Sequence, residues 1–153
     1  GNQIAHLVFT SSWRTDAILA ILEQQGAANC YVLSGDHNQD KAALLQLGFL
    51  ESQLYFELSP QQKADQIQAL QKKGKQVLYI GDGLNDVGAL GCAEIGIALS
   101  EDMFRFTPSS DAILEALSLK KLPQLLSIGR YAKRVLQICL AFSLNDLRST
   151  ERS

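Results

Sequence analysis

Gln76-Val77-Leu78-Tyr79-Ile80 runs directly into Gly81-Asp82-Gly83-Leu84-Asn85-Asp86, and this junction constrains the chain more than any other feature. An apolar run of strand-forming character ends at glycine. Two carboxylates and an amide follow within one tight turn, and an apolar helical stretch starts at Val87. A parallel strand that delivers acidic groups at its carboxyl end, where a helix begins, is how open α/β sheets build ligand sites. Two carboxylates this close repel one another unless a cation sits between or beside them. Magnesium suits the pair, because it takes oxygen ligands and binds through one or two carboxylates plus substrate phosphate. The segment therefore points to magnesium and phosphate, with Asp82 and Asp86 as candidate metal ligands.

The rest of the chain repeats the alternation of strand and helix. Ile4 to Phe9 reads as a strand. Arg14 to Gln25 carries apolar residues at Ala17, Ile18, Ile21 and Leu22, a helical spacing closed by Gly26. Cys30 to Leu33 is a short strand, Gln39 to Leu47 a helix closed by Gly48, and Gln53 to Phe56 an extended piece. Ser59-Pro60 opens a helix, with serine as cap and proline in the first turn, and the helix runs to Lys73 before Gly74. Val77 to Ile80 and Ile95 to Ala98 read as strands around a short helix, Val87 to Cys92. Ala112 to Leu117 and Leu122 to about Leu144 read as helical. Alternating elements of this kind form parallel βαβ units. The predicted class is α/β: a Rossmann-like, mainly parallel sheet with helices on both faces.

Bulk properties narrow the function. At 153 residues, the chain suits one compact domain. A net charge of −2 gives no electrostatic case for nucleic acid, which needs a basic face. Cys30, Cys92 and Cys139 are far apart and odd in number, with neither zinc-ligand spacing nor a disulfide framework, and a reducing setting fits them. No run approaches the ~18–20 apolar residues that span a bilayer. Val135 to Leu144 is apolar but too short, and Arg130, Lys133 and Arg134 precede it. Such a basic patch leading into an apolar run resembles the edge of a membrane helix; a terminal helix packed on the core is the other reading.

Two further segments have the chemistry to join the acidic turn. Ser34-Gly35-Asp36 follows a strand, so its hydroxyl and backbone amides can hydrogen-bond a phosphoryl oxygen, or the three residues simply form a turn and helix cap. Lys63 sits near the start of its helix, which is unusual on dipole grounds. It either neutralises phosphate or is solvated.

Taken in order, Leu33-Ser-Gly-Asp36, Lys63 in a Ser-Pro-x-x-Lys setting and Val77-Leu-Tyr-Ile-Gly-Asp-Gly-Leu-Asn-Asp86 resemble the haloacid dehalogenase superfamily. Within it, the pattern resembles the phosphorylation domain of P-type ATPases, on the heavy-metal-transporting branch. Gly88 to Leu99 resembles the family's continuation, and the likeness runs from about Leu7 to Asn145. The resemblance implies catalytic roles for Lys63, Asp82, Asn85 and Asp86. It implies phosphoryl binding by Ser34, Gly35, Asp36 and Lys63, with Mg2+ on Asp82 and Asp86. It also implies ATP as the phosphoryl donor in the full-length pump, a copper-type cargo cation, and the nucleotide-binding and membrane domains as partners. Residues 1–125 resemble the carboxy-side part of the phosphorylation domain of such a membrane protein, itself cytoplasmic and soluble. Residues 126–153 resemble the lead-in to a membrane helix.

The family's nucleophile, the aspartate of Asp-Lys-Thr-Gly-Thr, is absent from this sequence. In full-length pumps it lies upstream, so the expected fold lacks the nucleophile strand and the chain alone is expected to be inactive. An aspartyl-phosphate needs an aspartate at the point of attack. Such a sheet either fills the gap with another strand or pairs with a second chain through exposed edges, and the apolar face of the terminal helix is a separate route to self-association. Two alternatives stand beside the pump. One is a soluble phosphatase of the same superfamily. The other is a catalytically dead relative, with Leu7-Val-Phe-Thr10 in the nucleophile strand's place, acting as a binding or regulatory module.

Overall fold

The computed structural model describes residues 6–9, 15–82, 84–101, 109–132, 134, 135 and 137. They fall into two compact units, Gly1–Lys120 and Lys121–Ser153. The first unit is built on six parallel strands: β1 (His6–Phe9), β2 (Cys30–Leu33), β3 (Leu54–Tyr55), β4 (Val77–Gly81), β5 (Ile95–Ser100) and β6 (Ala112–Glu115). Their order across the sheet is β3-β2-β1-β4-β5-β6. Helices α1 (Thr15–Gln25), α2 (Lys41–Gln46), α3 (Pro60–Lys72) and α4 (Val87–Cys92) provide the crossovers that parallel pairing requires. The second unit contains α5, a helix from 122 to 137 in which 133 and 136 are outside the described residues. Among the described residues, no helix is long and apolar enough to cross a membrane.

β4 is buried along its whole length, as befits a central strand of a sheet covered on both faces. Side chains alternate between faces, so Val77 and Tyr79 lie on one side and Leu78 and Ile80 on the other. Val77 and Tyr79 join Leu33, Ile67 and Leu70 of α3, and Ala89 and Leu90 of α4, in one apolar cluster. Ala17, Ile18, Ile21 and Leu22 of α1 are buried as their spacing predicts. The cap of α3 is also as expected. Ser59 Oγ accepts from the Gln62 amide at 3.3 Å, Gln62 Oε1 accepts from the Ser59 amide at 2.8 Å, and Pro60 opens the first turn.

One alternative is decided by strand pairing, and one expectation needs correction. A sheet without the family's nucleophile strand either fills that slot with another strand or pairs through exposed edges. The slot is filled, because β1 pairs in parallel with both neighbours, Leu7 opposite Cys30 on one side and Leu78 on the other. An empty slot would leave rows of unpaired backbone groups on β2 and β4, so an extended run is drawn into it. The correction concerns Ala112 to Leu117, read as helix. Ala112–Glu115 is instead β6, pairing with β5 from Ile97–Ala112 to Ser100–Glu115, and a 3-10 turn follows at Ala116–Lys121. A short apolar run does not reveal its period, and the free edge of β5 decided the outcome.

Candidate phosphoryl and metal site

The carboxyl ends of β2 and β4 carry the candidate residues side by side. Ser34 follows β2 and is buried, its backbone locked by two hydrogen bonds: its amide donates to the Tyr55 carbonyl and its carbonyl accepts from the Leu58 amide, each at 2.9 Å. Its hydroxyl accepts from the Asp36 amide at 3.1 Å, which bends the chain through Gly35. A Cβ at Gly35 would lie 3.3 Å from the Leu58 carbonyl oxygen, so the loop passes close to the chain leading into α3. The Glu57 amide donates to the Asp36 carbonyl at 3.0 Å, a third tie between the two loops. His37 Nδ1 and Glu57 Oε1, 2.6 Å apart on the surface, are a fourth. Glu57 takes the left-handed backbone with φ of 58°. Neither the tie nor the conformation has a signal in the sequence, because glutamate does not mark a left-handed turn.

Asp82 follows β4 and is exposed. Its Oδ1 accepts from the Leu84 and Asn85 amides at 3.3 and 3.4 Å, folding the acidic turn around the carboxylate. Asp86 turns the other way, into the protein. Its Oδ1 accepts from Lys63 Nζ at 2.8 Å, with the two side chains only 7% and 1% exposed for Lys63 and Asp86 respectively. Gly81 makes this possible. A Cβ there would collide with Asp86 Oδ2 and stand 2.9 Å from Tyr79 Cε1. The solvated reading of Lys63 therefore fails: the ammonium is buried and paired to a carboxylate 23 residues on. Burying either charge alone would be costly, so each holds the other.

A cleft of about 300 Å³ opens where these loops meet, lined by Gly35, Asp36, Leu58, Pro60, Lys63, Asp82 and Asn85. Five of the seven predicted site residues line it: Gly35, Asp36, Lys63, Asp82 and Asn85. Ser34 and Asp86 are buried and do not line it. Leu58 and Pro60 are additions that sequence reasoning missed, though Pro60 was already legible as a helix opener. Among the described residues, no group of three or more His, Cys, Asp and Glu could hold a metal ion. The donor set fits magnesium only in the sparse manner of that ion, through one exposed carboxylate completed by water and phosphate oxygens. Asp82 has the exposure for it, whereas Asp86 is committed to Lys63.

The cleft has a definite charge balance. Lys63 is offset by Asp86, leaving Asp36 and Asp82 as exposed negative groups. A phosphate entering alone meets like charge, and a divalent cation reverses the sign of that encounter.

Residues 10–94 match the family model of the haloacid dehalogenase-like hydrolases. The chain is 32% identical over 118 residues to the probable copper-importing P-type ATPase A of Enterococcus hirae, covering 76% of this chain and 16% of that protein. It is 39% identical over 100 residues to the copper-exporting P-type ATPase of Vibrio cholerae, covering 59% and 11%. Its fold superposes on the crystal structure of a zinc-transporting PIB-type ATPase in the E2.Pi state with a TM-score of 0.66 and 28% identity, covering 82% of this chain and 20% of that one. The chain thus spans less than a quarter of the length of each of these relatives. It belongs to the haloacid dehalogenase-like hydrolases, and within them its likeness is to the heavy-metal-transporting P-type ATPases.

Proposed function

We propose that this chain is the carboxy-side part of the phosphorylation domain of a heavy-metal, copper-type cation pump. It would supply the magnesium- and phosphoryl-binding residues for ATP-driven formation and hydrolysis of an aspartyl-phosphate. The observation that carries the reading is the convergence of Gly35, Lys63, Asp82 and Asn85 on one cleft at the carboxyl ends of β2 and β4. Phosphoryl transfer asks a protein mainly for positioning and charge stabilisation, and these residues provide both. The Gly35 loop offers backbone donors without a side chain in the way. Lys63 presents positive charge from a fixed position, because Asp86 holds it. Asp82 would be the direct magnesium ligand, with Asp86 acting through Lys63, and the metal would offset phosphoryl charge when bound.

No carboxylate follows β1, where Thr10-Ser11-Ser12 come next in sequence. The attacking aspartate, the nucleotide and the cargo would come from other parts of the pump, and this chain by itself would form no aspartyl-phosphate.

The charge balance of the cleft sets the test. Inorganic phosphate titrated into the protein, followed by amide chemical shifts, is expected to perturb Gly35, Asp82 and Asn85 only when magnesium is present. Asp82→Asn is expected to abolish that response. Phosphate binding at these residues without magnesium, or none with it, counts against the reading. Hydrolysis of p-nitrophenyl phosphate that Asp82→Asn eliminates would make the chain a phosphatase in its own right.

A further inference from the structure

The ladder between β2 and β3 slips as it leaves the sheet, and it slips at Glu57. Leu33 and Tyr55 are parallel partners. A regular ladder carried one residue further would bond the Ser34 amide to the Tyr55 carbonyl and the Ser34 carbonyl to the Glu57 amide. The first bond is made, at 2.9 Å. The second is not: the Leu58 amide takes the Ser34 carbonyl at 2.9 Å, and the Glu57 amide reaches the Asp36 carbonyl at 3.0 Å instead. Glu57 is thus an extra residue in its strand, a bulge, with the left-handed φ of 58° that suits glycine best. Among the described residues, no other non-glycine residue has a positive φ. Bulges beside active sites re-aim side chains. This one turns the Glu57 carboxylate onto His37, with Oε1 at 2.6 Å from Nδ1. An ionised carboxylate only accepts, so the imidazole donates.

We propose that Glu57 and His37 are positioning residues for the phosphoryl loop, a clasp that holds Gly35 and Asp36 in the form that lines the cleft; their part in phosphate binding rests on the function proposed above. The loop has little else to hold it. Residues 35–40 are all exposed. Gly35 and Asp36 border both the cleft and a neighbouring cavity of about 360 Å³, lined also by His37, Gln39 and Asp40. A loop between two open volumes is fixed by hydrogen bonds rather than by packing. Glycine would form the same bulge without strain, and only the carboxylate adds the bond to His37. An exposed pair contributes little to global stability, yet the same small bias shifts the population of a loop severalfold.

Two readouts on the full chain test the clasp. One is hydrogen-exchange protection of the amides at positions 36 and 57 without ligand. The other is the affinity for inorganic phosphate with magnesium, followed at the Gly35 amide. Glu57→Gly keeps the left-handed backbone and removes the carboxylate, and His37→Ala removes the donor. Each is expected to lower both protection and affinity about threefold, the scale of an exposed pair. The double variant should be no worse than either single one, since both break the same bond. Glu57→Gln, which keeps an acceptor oxygen, should restore most of the loss. Melting temperatures should not fall in any of these variants. Three results would overturn the proposal: unchanged protection in both single variants, additive losses in the double variant, or a Glu57→Gln variant as impaired as Glu57→Gly. A fall in melting temperature that accounts for the lost protection would also overturn it, by making the pair a general brace. Should the unaltered chain show no phosphate response with magnesium, the proposed function fails, while protection at positions 36 and 57 still decides whether the clasp exists.

Discussion

Gly81 and Asp86 show how a single missing side chain shapes this site. With any Cβ at position 81, Asp86 could not fold back beneath the turn, and Lys63 would lose its partner. Two charges buried 23 residues apart in sequence are thereby fixed together. Breaking such a pair leaves one uncompensated charge in the interior. Lys63→Ala is therefore expected to destabilise the protein by about 3–5 kcal/mol in urea unfolding. Replacing both partners with apolar residues, Lys63→Met with Asp86→Leu, should recover most of the loss, because no charge is then stranded. A loss smaller than about 1 kcal/mol for the single variant, as surface pairs give, would mean the ammonium reaches water. The tie between His37 and Glu57 is of that weaker kind, since both side chains are more than half exposed.

At the scale of elements, the site depends on how strands and helices begin and end. Helix α3 carries Lys63, and its first turn is held by the reciprocal bonds of Ser59 and Gln62. Ser59→Ala removes one half of that arrangement and is expected to cost about 1 kcal/mol. Because Ser59 lies four residues before Lys63, the same variant should weaken magnesium-dependent phosphate binding more than Ser118→Ala, a change at a half-buried residue far from the cleft in sequence; equal effects would separate the cap from the site. The opposite ends of the strands are braced by carboxylates. Glu94 accepts from the Val77 amide at 2.6 Å and Asp111 from the Gly96 amide at 2.7 Å. These two acids lie outside the cleft and have a structural explanation, since each satisfies a backbone donor at a strand start. β6 belongs to this scale too. Its four residues would satisfy a helix or a strand, and only the open edge of β5 selected between them.

Over the whole molecule, the first unit is a parallel sheet buried on both faces, and its stability has a titrating component. Burial pushes the Cys30 thiol from its ordinary 9.0 up to about 12. The neutral thiol is thus favoured by the fold, and the unfolded chain ionises first. Stability from this group is complete below pH 9 and falls as pH rises toward 12. Urea midpoints measured upward from pH 8 should decline, and the decline should be smaller in Cys30→Ala once its own lower baseline is subtracted. Cys92, only half-buried, is expected to react with a thiol reagent in the native state well before Cys30 does. The sequence by itself determined the α/β class, the cap and proline of α3, and the acidic turn after β4. Those features rest on neighbours within a few residues, whose propensities and spacing are written in order along the chain. Only tertiary structure decided that β1 fills the centre of the sheet, that Ala112–Glu115 is a strand, and that Lys63 is buried against Asp86. Each of those outcomes depends on a partner distant in sequence, whether an unpaired strand edge or a lone buried charge, and local pattern holds no record of such partners.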